Sequence, residues 1–285
     1  MIRYRYLRFP GGKDKAVTLS YDDGVSEDLR FSDIISEAGL KCTFNLNCDV
    51  IRENNITKET ADKYYFSRGH EVAVHGELHK AEGIIRPISG IKDVLNCRLE
   101  LEKKFGRIIR GMAYPDSGIR RIANGTDYER IKHYLVDLDV AYSRTLGGDN
   151  NSFELPDDWH AWMPTAKHTN PQIFEYIDEF LEMDVDNQYG PNRSPKLFYM
   201  WGHTYEFTRD NNWDLIETIA DKLGNRSNIW YATNIEIYEY TEAYNRLVYS
   251  ADETLVYNPT LYEIWFDIDK MVYKIKPGET LLIEK

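Results

Sequence analysis

The stretch Val17-Thr18-Leu19-Ser20-Tyr21-Asp22-Asp23-Gly24 passes from an apolar run into two aspartates and a glycine. The apolar run predicts a strand, and the acidic pair with the glycine predicts a tight turn after it. Neighbouring carboxylates point in different directions, so one can bind a metal while the other does acid–base work. Taken alone, such a pair is more often a solvated turn than a functional site.

A second motif has the same position relative to a predicted strand. His75-Gly76-Glu77-Leu78-His79 comes directly after the apolar run 72–74. An H-x-x-x-H pair alone is more often a coincidence than a ligand pair, but two such motifs at strand ends favour a metal hydrolase. The oxygen of Asp and the nitrogen of His are ligands that suit zinc or a similar divalent ion.

The composition limits the classes of protein and partner. The chain has 285 residues, of which 42% are hydrophobic, enough for a large core in one domain or in one domain with a small appendage. Its formal net charge of -12 argues against binding to nucleic acid, because phosphate backbones are bound by clusters of Lys and Arg.

The remaining composition signals concern the compartment. No apolar run approaches the ~20 residues of a membrane span, and residues 1–8 are basic without the apolar segment of a signal peptide. Cys42, Cys48 and Cys97 are odd in number and form no C-x-x-C, so ordinary reduced thiols are expected. These features predict a cytoplasmic protein that binds no membrane.

Short β-rich runs alternate with amphipathic stretches along most of the chain. The predicted strands are 16–20, 42–46, 71–74, 107–112, 140–143, 196–200 and 229–231. The predicted helices are 27–38, 57–68, 91–105, 127–138, 171–183, 213–223 and 235–246. This alternation predicts an α/β fold, in which helices cover a parallel sheet. Seven or so units favour a closed or nearly closed barrel, although periodicity alone does not decide between a barrel and an open sheet.

The last part of the chain has a different pattern. Apolar runs at 247–249, 255–257, 263–266, 271–275 and 281–283 are separated by turn signals such as Asp269-Lys270 and Pro277-Gly278. We therefore expect a barrel domain over residues 1–240 and a small β-rich appendage of antiparallel strands over residues 241–285. The appendage is interpreted as structural cover, with sugar binding as the alternative.

The polar candidates for chemistry share one property, since each comes just after a predicted strand. They are Asp22, Asp23, His75, Tyr114-Pro115, Arg144 and His203. In barrel folds the carboxyl ends of the strands form the mouth of the active site, so these distant positions are expected to converge.

These motifs resemble those of the polysaccharide deacetylases, the NodB-type domains of carbohydrate esterase family 4. Ser20–Gly24 is similar to their T-F-D-D-G motif, and His75–His79 is similar to their H-[S/T]-x-x-H motif. Ala113–Gly118 resembles their R-P-P-x-G loop in a variant beginning A-Y-P, and Trp201-Gly202-His203 resembles the late L-x-H motif. The resemblance covers about residues 10–235 and implies a distorted (β/α)7 barrel.

The resemblance also implies residue roles. It implies that Asp23, His75 and His79 bind one divalent ion, with zinc expected and cobalt, nickel, manganese or iron as alternatives. Asp22 would be the catalytic base, and His203 would be the general acid that protonates the departing amine. The loop of Tyr114, Pro115 and Asp116 would hold the oxyanion and substrate, through the amide of Asp116.

The chain departs from the family pattern at two positions. Gly76 replaces a Ser or Thr that steadies the loop, which implies a weaker affinity for the metal. Ala113 replaces the arginine that pairs with the catalytic base. We expect Arg144, after the next strand, to take that role in preference to Arg110, which is interpreted as a surface ion-pair residue.

Two further residues complete the predicted site. Trp201 and Glu206 are expected to contact substrate, and Glu206 could instead orient His203 or be a plain exposed carboxylate. The leading hypothesis is a metal-dependent deacetylase of an N-acetylated or O-acetylated carbohydrate. The alternatives are a hydrolase of a non-sugar amide on the same fold and a carbohydrate-binding relative without turnover. The sequence leaves the sugar, the bond and the oligomeric state open.

Overall fold

A computed structural model describes residues 3–48, 56–145 and 152–283 of the chain. Its strands are β1 Arg5–Arg8, β2 Lys15–Asp22, β3 Cys42–Leu46, β4 Glu71–Val74, β5 Gly111–Ala113, β6 Tyr142–Arg144, β7 Ala166–Lys167, β8 Lys196–His203, β9 Ile229–Tyr231, β10 Val248–Tyr249, β11 Leu255–Tyr257, β12 Ile264–Ile268, β13 Met271–Ile275 and β14 Thr280–Leu282. Its α-helices are α1 Glu27–Glu37, α2 Lys58–Tyr64, α3 Pro87–Phe105, α4 Tyr128–Asp137, α5 Ile173–Glu182, α6 Tyr205–Arg209, α7 Trp213–Leu223 and α8 Asn234–Asn245.

The central sheet is parallel and curled. Its strands follow the order β6-β5-β4-β3-β2-β8-β7, and β9 pairs with the first residues of β2. A parallel bridge between Arg144 and Trp162 connects the edge strand β6 to the segment that leads into β7, the strand at the other edge. The sheet therefore bends towards closure, and the predicted distorted (β/α)7 barrel is confirmed.

Side chains alternate between the two faces of β2, as a strand requires. Val17, Leu19 and Tyr21 pack in the large core between the sheet and the helices. Ala16 belongs instead to a second core inside the curl, which includes Trp162 and Tyr199 as well as residues of α8. Thus the buried face of α8 packs on this second core, while the other long helices pack on the large core outside the sheet.

The predicted strand limits differ from the observed ones in places. The strand predicted at 107–112 begins only at Gly111, because Gly106 ends α3 in a left-handed conformation and Ile108 remains 82% exposed. Strand β7 has only two residues and shows no apolar pattern, so the sequence did not predict it. Strand β1 was also missed, since its partner β12 lies more than 250 residues away in the chain.

The carboxyl-terminal strands are antiparallel, as predicted, and they form two small sheets. Strands β12 and β13 form one sheet with β1, and β10, β11 and β14 form the other. The predicted boundary at residue 240 lies within α8 and stays a prediction. Asp267 of β12 pairs with Arg8 and with Arg193, which precede β2 and β8, so the appendage lies at the amino ends of the barrel strands.

No helix within the described ranges is long and apolar enough to cross a membrane.

Candidate active site at the carboxyl ends of the strands

The predicted site residues converge at one end of the barrel. Asp22 and His203 end the adjacent strands β2 and β8, and they are paired with each other in the register of the sheet. His75 follows β4, and Arg144 ends β6. Parallel strands bring these distant positions together because all of their carboxyl ends lie on the same side of the sheet.

Asp23, His75 and His79 form a compact set of donor atoms. One donor atom from each residue lies within 4.8 Å of the other two. Asp23 Oδ1 is 3.6 Å from His79 Nε2 and 3.9 Å from His75 Nε2. A tetrahedral zinc with ligands at ~2.0–2.2 Å places neighbouring donors about 3.4 Å apart, so a small contraction would suit this set to the ion.

Local contacts explain why these donors face one another. Asp23 has a left-handed φ of 83°, its N–H donates to Asn45 O at 3.0 Å, and Asn47 Nδ2 donates to its Oδ1 at 3.3 Å. His75 Nδ1 lies 2.9 Å from Ala113 O, so the ring donates there and leaves Nε2 to face Asp23. Burial lowers the pKa of His75, although Asp22 and Asp23 oppose this, and the neutral ring is the form that binds metals.

Asp22 is buried beside a guanidinium group. Arg144 Nη2 donates to Asp22 Oδ2 at 2.5 Å, and Asn45 Nδ2 donates to Asp22 Oδ1 at 2.8 Å. Burial alone would raise the pKa of Asp22, but Arg144, together with the histidines at 75 and 203, holds it below its usual value. The carboxylate is therefore ionised and held in one orientation.

Arg144, and not Arg110, makes the contact that the absent loop arginine would make. Arg144 is completely buried, whereas Arg110 lies on the outside, where it pairs with Asp139 at 3.2 Å and Glu239 at 3.8 Å. The replacement comes from a neighbouring strand because the side chain of Arg144 at the end of β6 reaches Asp22 across the mouth of the barrel.

Trp201 lies over Arg144. The guanidinium carbon of Arg144 is 4.7 Å from the centre of the indole ring, a cation–π distance. Trp201 is only 9% exposed, and its Nε1 has no hydrogen-bond partner among the described residues. The ring thus shields the arginine, and a contact with substrate stays a prediction.

His203 stands between two carboxylates. Its Nε2 is 3.9 Å from Asp22 Oδ2, and its Nδ1 is 3.5 Å from Glu206 Oε2. Glu206 is 4% exposed, so it is not the plain exposed carboxylate that was one alternative. Burial would raise the pKa of Glu206, but His203 and Lys167 lower it to about 2, so this side chain is charged.

The structure adds neighbours of Glu206 that the sequence did not single out. Lys167 Nζ donates to Glu206 Oε1 at 2.7 Å, and His168 Nε2 lies 3.4 Å from Glu206 Oε2. His168 is completely buried against Gly202, where an added Cβ would approach its Nδ1 to 1.9 Å. Lys167 lies in the short strand β7 and His168 follows it directly, and the sequence of this strand gives no strand signal.

The asparagines at 45 and 47, which contact both aspartates, were also missed. Their signal is visible in the sequence, because each is a polar residue in or just after the apolar strand β3.

The loop from Tyr114 to Asp116 lies beside the histidine motif. The side chain of Tyr114 is completely buried and donates its hydroxyl to His160 O at 2.9 Å, so it supports the loop from inside. Pro115 is buried next to Gly76, while Asp116 is exposed with a left-handed φ of 50°. An oxyanion role for the Asp116 amide stays a prediction.

Comparison with known proteins agrees with the fold and the motifs. Residues 5–128 match the family model of polysaccharide deacetylase. No curated protein sequence matches the chain. A crystal structure of a Mycobacterium smegmatis protein assigned to the polysaccharide deacetylases has a TM-score of 0.55 at 16% identity, and the match covers 84% of this chain and 94% of that one.

Two other solved structures have lower scores. An acetyl xylan esterase of family 4 from Clostridium thermocellum, in complex with cobalt, has a TM-score of 0.46 at 16% identity, with 79% of this chain and 91% of that one covered. A family 4 carbohydrate esterase from Streptomyces lividans, in complex with acetate, has a TM-score of 0.45 at 13% identity, with 74% and 88% covered. From the family match and the likeness at a TM-score of 0.55, the resemblance of this chain to the polysaccharide deacetylases is confirmed, and its fold is theirs.

Proposed function

We propose that the protein is a metal-dependent deacetylase that releases acetate from an N-acetylated or O-acetylated carbohydrate. The observation that carries the proposal is the arrangement at the mouth of the barrel. A donor set of one carboxylate and two imidazoles lies beside Asp22, and the Nε2 atom of the partly exposed His203 lies 3.9 Å from Asp22 Oδ2, the oxygen that His75 also approaches.

The donor set suits a divalent cation. Asp23, His75 and His79 would bind it, and three protein ligands leave a coordination position for water or substrate. When bound, such an ion would polarise the acyl oxygen and lower the pKa of a water molecule. The hydrogen bond from His75 Nδ1 to Ala113 O supports this use, since metal-binding histidines usually donate their other ring nitrogen in this way.

Asp22 would act as the general base. It lies 3.9 Å from His75 Nε2, which places its carboxylate next to the donor set without making it part of that set. Its depressed pKa keeps it ionised near neutral pH, so it can take a proton from the attacking water. Arg144 and Asn45 each bond one of its oxygens and so fix its orientation.

His203 would act as the general acid. A leaving amine needs a proton, and an imidazole can supply it near neutral pH. The charged Glu206 lies 3.5 Å from Nδ1 and favours a ring orientation with the Nδ1 proton facing its carboxylate, so that Nε2 is the nitrogen from which the proton would be transferred. We therefore assign Glu206 to orienting His203 in preference to contacting the sugar.

An acetate-release assay tests the proposal. Purified protein would be stripped with chelator, reloaded with zinc or cobalt, and assayed on N-acetylglucosamine oligomers, O-acetylated xylo-oligosaccharides and non-sugar acetamides. Metal-dependent acetate release from a saccharide would support the proposal, and a surface variant, Asp62→Asn, should behave as the wild type. Hydrolysis of the non-sugar amides alone would favour the amide hydrolase instead, and metal binding or saccharide binding without turnover on any substrate would favour the binding protein.

A further inference from the structure

The loop between the two histidines of the donor set is held by helix α3. The N–H of Leu78 donates to Asp93 Oδ1 at 2.7 Å, and the N–H of Glu77 donates to the main-chain oxygen of Asp93 at 3.1 Å. One turn further along α3, Asn96 Nδ2 donates to Glu77 Oε2 at 2.8 Å. Both residues between Gly76 and His79 are therefore attached to the same face of one long helix.

Asp93 also fills the space that a side chain at position 76 would need. Gly76 has a φ of +78°, and a Cβ built on it would lie 2.3 Å from Asp93 Oδ2 and 3.2 Å from Pro115 Cγ. Asp93 itself is only 4% exposed. The Asp93 carboxylate therefore occupies the space that a side chain at position 76 would need, and only glycine fits there beside it.

The loop carries both histidines of the donor set. His75 has contacts outside the loop, because its N–H donates to Leu46 O at 2.9 Å and its ring bonds Ala113 O. His79 follows directly after Leu78 and has a left-handed φ of 51°. The hydrogen bond from Leu78 to Asp93 therefore helps to place the main chain that carries its ring beside Asp23.

We propose that Asp93 is a positioning residue for the metal site, because its carboxylate holds the loop that carries His79 in the arrangement in which the three donors converge. This rests on the proposed metal site. It also revises the expectation drawn from Gly76, since a carboxylate from α3 supplies the support that a hydroxyl at position 76 gives in the family pattern.

Zinc affinity of three variants tests the proposal. Asp93→Ala removes the acceptor of the Leu78 N–H, and we expect zinc to bind about 10- to 100-fold more weakly, the usual effect of losing a residue that orients a ligand. Asp93→Asn keeps an acceptor oxygen and should bind zinc as the wild type does. Glu100→Ala removes the same charge from the exposed face of α3 and is the matched control. Affinity is measured by competition with a chromophoric chelator, with circular dichroism to verify folding.

Amide exchange in the presence of chelator separates this proposal from the proposed function. In Asp93→Ala, the amides of residues 77–79 should exchange faster than in the wild type, while the rest of α3 remains protected. If the wild-type protein does not bind zinc, the proposed function fails, but the exchange result still decides the role of Asp93. Unchanged exchange at 77–79 in a folded Asp93→Ala protein would overturn the proposal, as would unchanged zinc affinity.

A double-mutant cycle tests the packing of Gly76 against Asp93. Gly76→Ala should weaken zinc binding, because the new Cβ meets Asp93 Oδ2 and the φ is unfavourable for alanine. The added weakening should be smaller when Asp93 is already alanine, since the clash is then removed. If the fold-change in zinc affinity of the double variant is the product of the two single fold-changes, Asp93 does not occupy the space next to Gly76, contrary to the proposal.

Discussion

At the scale of single residues, the site depends on a buried carboxylate that stays ionised. Asp22 is 2% exposed, and without compensation such a group would take up a proton. The guanidinium of Arg144 in β6 and the side-chain amide of Asn45 in β3 donate hydrogen bonds that offset the cost of burying the charge. The charge state of the proposed base is therefore set by strands that are distant in sequence.

Asp22→Asn should nearly abolish acetate release while leaving the metal bound. The substitution keeps the shape of the side chain but removes the base, which typically costs ~10²–10⁴-fold in rate. Metal content and turnover are measured on the same preparation. Wild-type turnover in this variant would show that Asp22 is not the base.

Arg144→Gln should move the acidic limb of the pH–rate profile to higher pH. Without the guanidinium, burial would dominate and raise the pKa of Asp22, so the base would need a higher pH to ionise. Arg110→Gln is the matched control, because that arginine pairs with surface carboxylates instead. A profile that does not move in Arg144→Gln would contradict the assigned role.

His203→Ala should lower turnover strongly on amide substrates and less on esters. An amine leaves poorly without a proton, whereas an alkoxide leaves more readily, so only the first reaction depends heavily on the general acid. The comparison uses matched N-acetyl and O-acetyl saccharides with the same enzyme preparations. Equal losses on both would leave His203 with a positioning role and remove it from acid–base catalysis.

At the scale of elements, sequence patterns predicted where the long helices and most of the buried strands lie, with the largest errors at the start of α3 and of β5. Helix α7 has the predicted bounds, and α1 differs by one residue, because their apolar spacing is regular and their ends carry clear signals. Strands β1 and β7 were missed because they are short and gain their stability from distant partners. The same reason explains why Lys167 and His168 were not foreseen near Glu206.

The role of Arg144 was predicted from the resemblance to the deacetylase family, and a sequence pattern alone would not have indicated it. The family comparison showed that an arginine was absent from its usual loop, and strand order then suggested where a substitute could arise. The contact of Glu206 with His203 was considered from spacing alone, but its burial could not be read from the sequence. Asp93 gave no signal, since an aspartate in an amphipathic helix is normally solvated.

Asp28→Asn should reduce the pH dependence of stability between about pH 4 and pH 7. In α1, Asp28 accepts hydrogen bonds from Thr204 Oγ1 at 2.5 Å and Tyr65 OH at 2.9 Å, and burial raises its pKa to about 7. The folded protein thus retains a proton that the unfolded chain releases near pH 4, so rising pH destabilises the folded state through this group.

Urea unfolding of the chelator-treated protein at pH 5 and at pH 7.5 provides the measurement for Asp28. The asparagine variant lacks this titration, so its midpoint should fall less than that of the wild type as the pH rises. Equal falls in both proteins would assign the pH dependence to other buried groups, such as Glu71, whose pKa burial also raises to about 7.

At the scale of the whole molecule, a buried ion-pair network joins the appendage to the barrel. Asp267 of β12 is completely buried and pairs with Arg8 of β1 and, at 3.0 Å, with Arg193 before β8. These contacts lie at the amino ends of the strands, opposite the proposed active site. The appendage therefore covers the base of the barrel, which supports the interpretation as structural cover.

Asp267→Asn should destabilise the whole protein by up to about 3–5 kcal/mol, because it leaves two buried guanidinium groups with only Asp186, whose side chain is 62% exposed, as a charged partner. Asp269→Asn is the control, since that carboxylate is exposed and lies 3.9 Å from Arg3. The free energy of unfolding is measured in urea for both variants. Similar small losses in the two would show that the network contributes little to docking of the appendage.

The pairing of β1 with β12 has a consequence for synthesis of the protein. Arg5 is the partner of Ile268, so β1 leaves the ribosome more than 250 residues before the strand beside which it will lie. At the usual rate of about 5–20 residues per second, β1 waits for roughly ten to fifty seconds. The barrel strands can associate during that interval, but the base of the molecule is completed only after β12 has been synthesised.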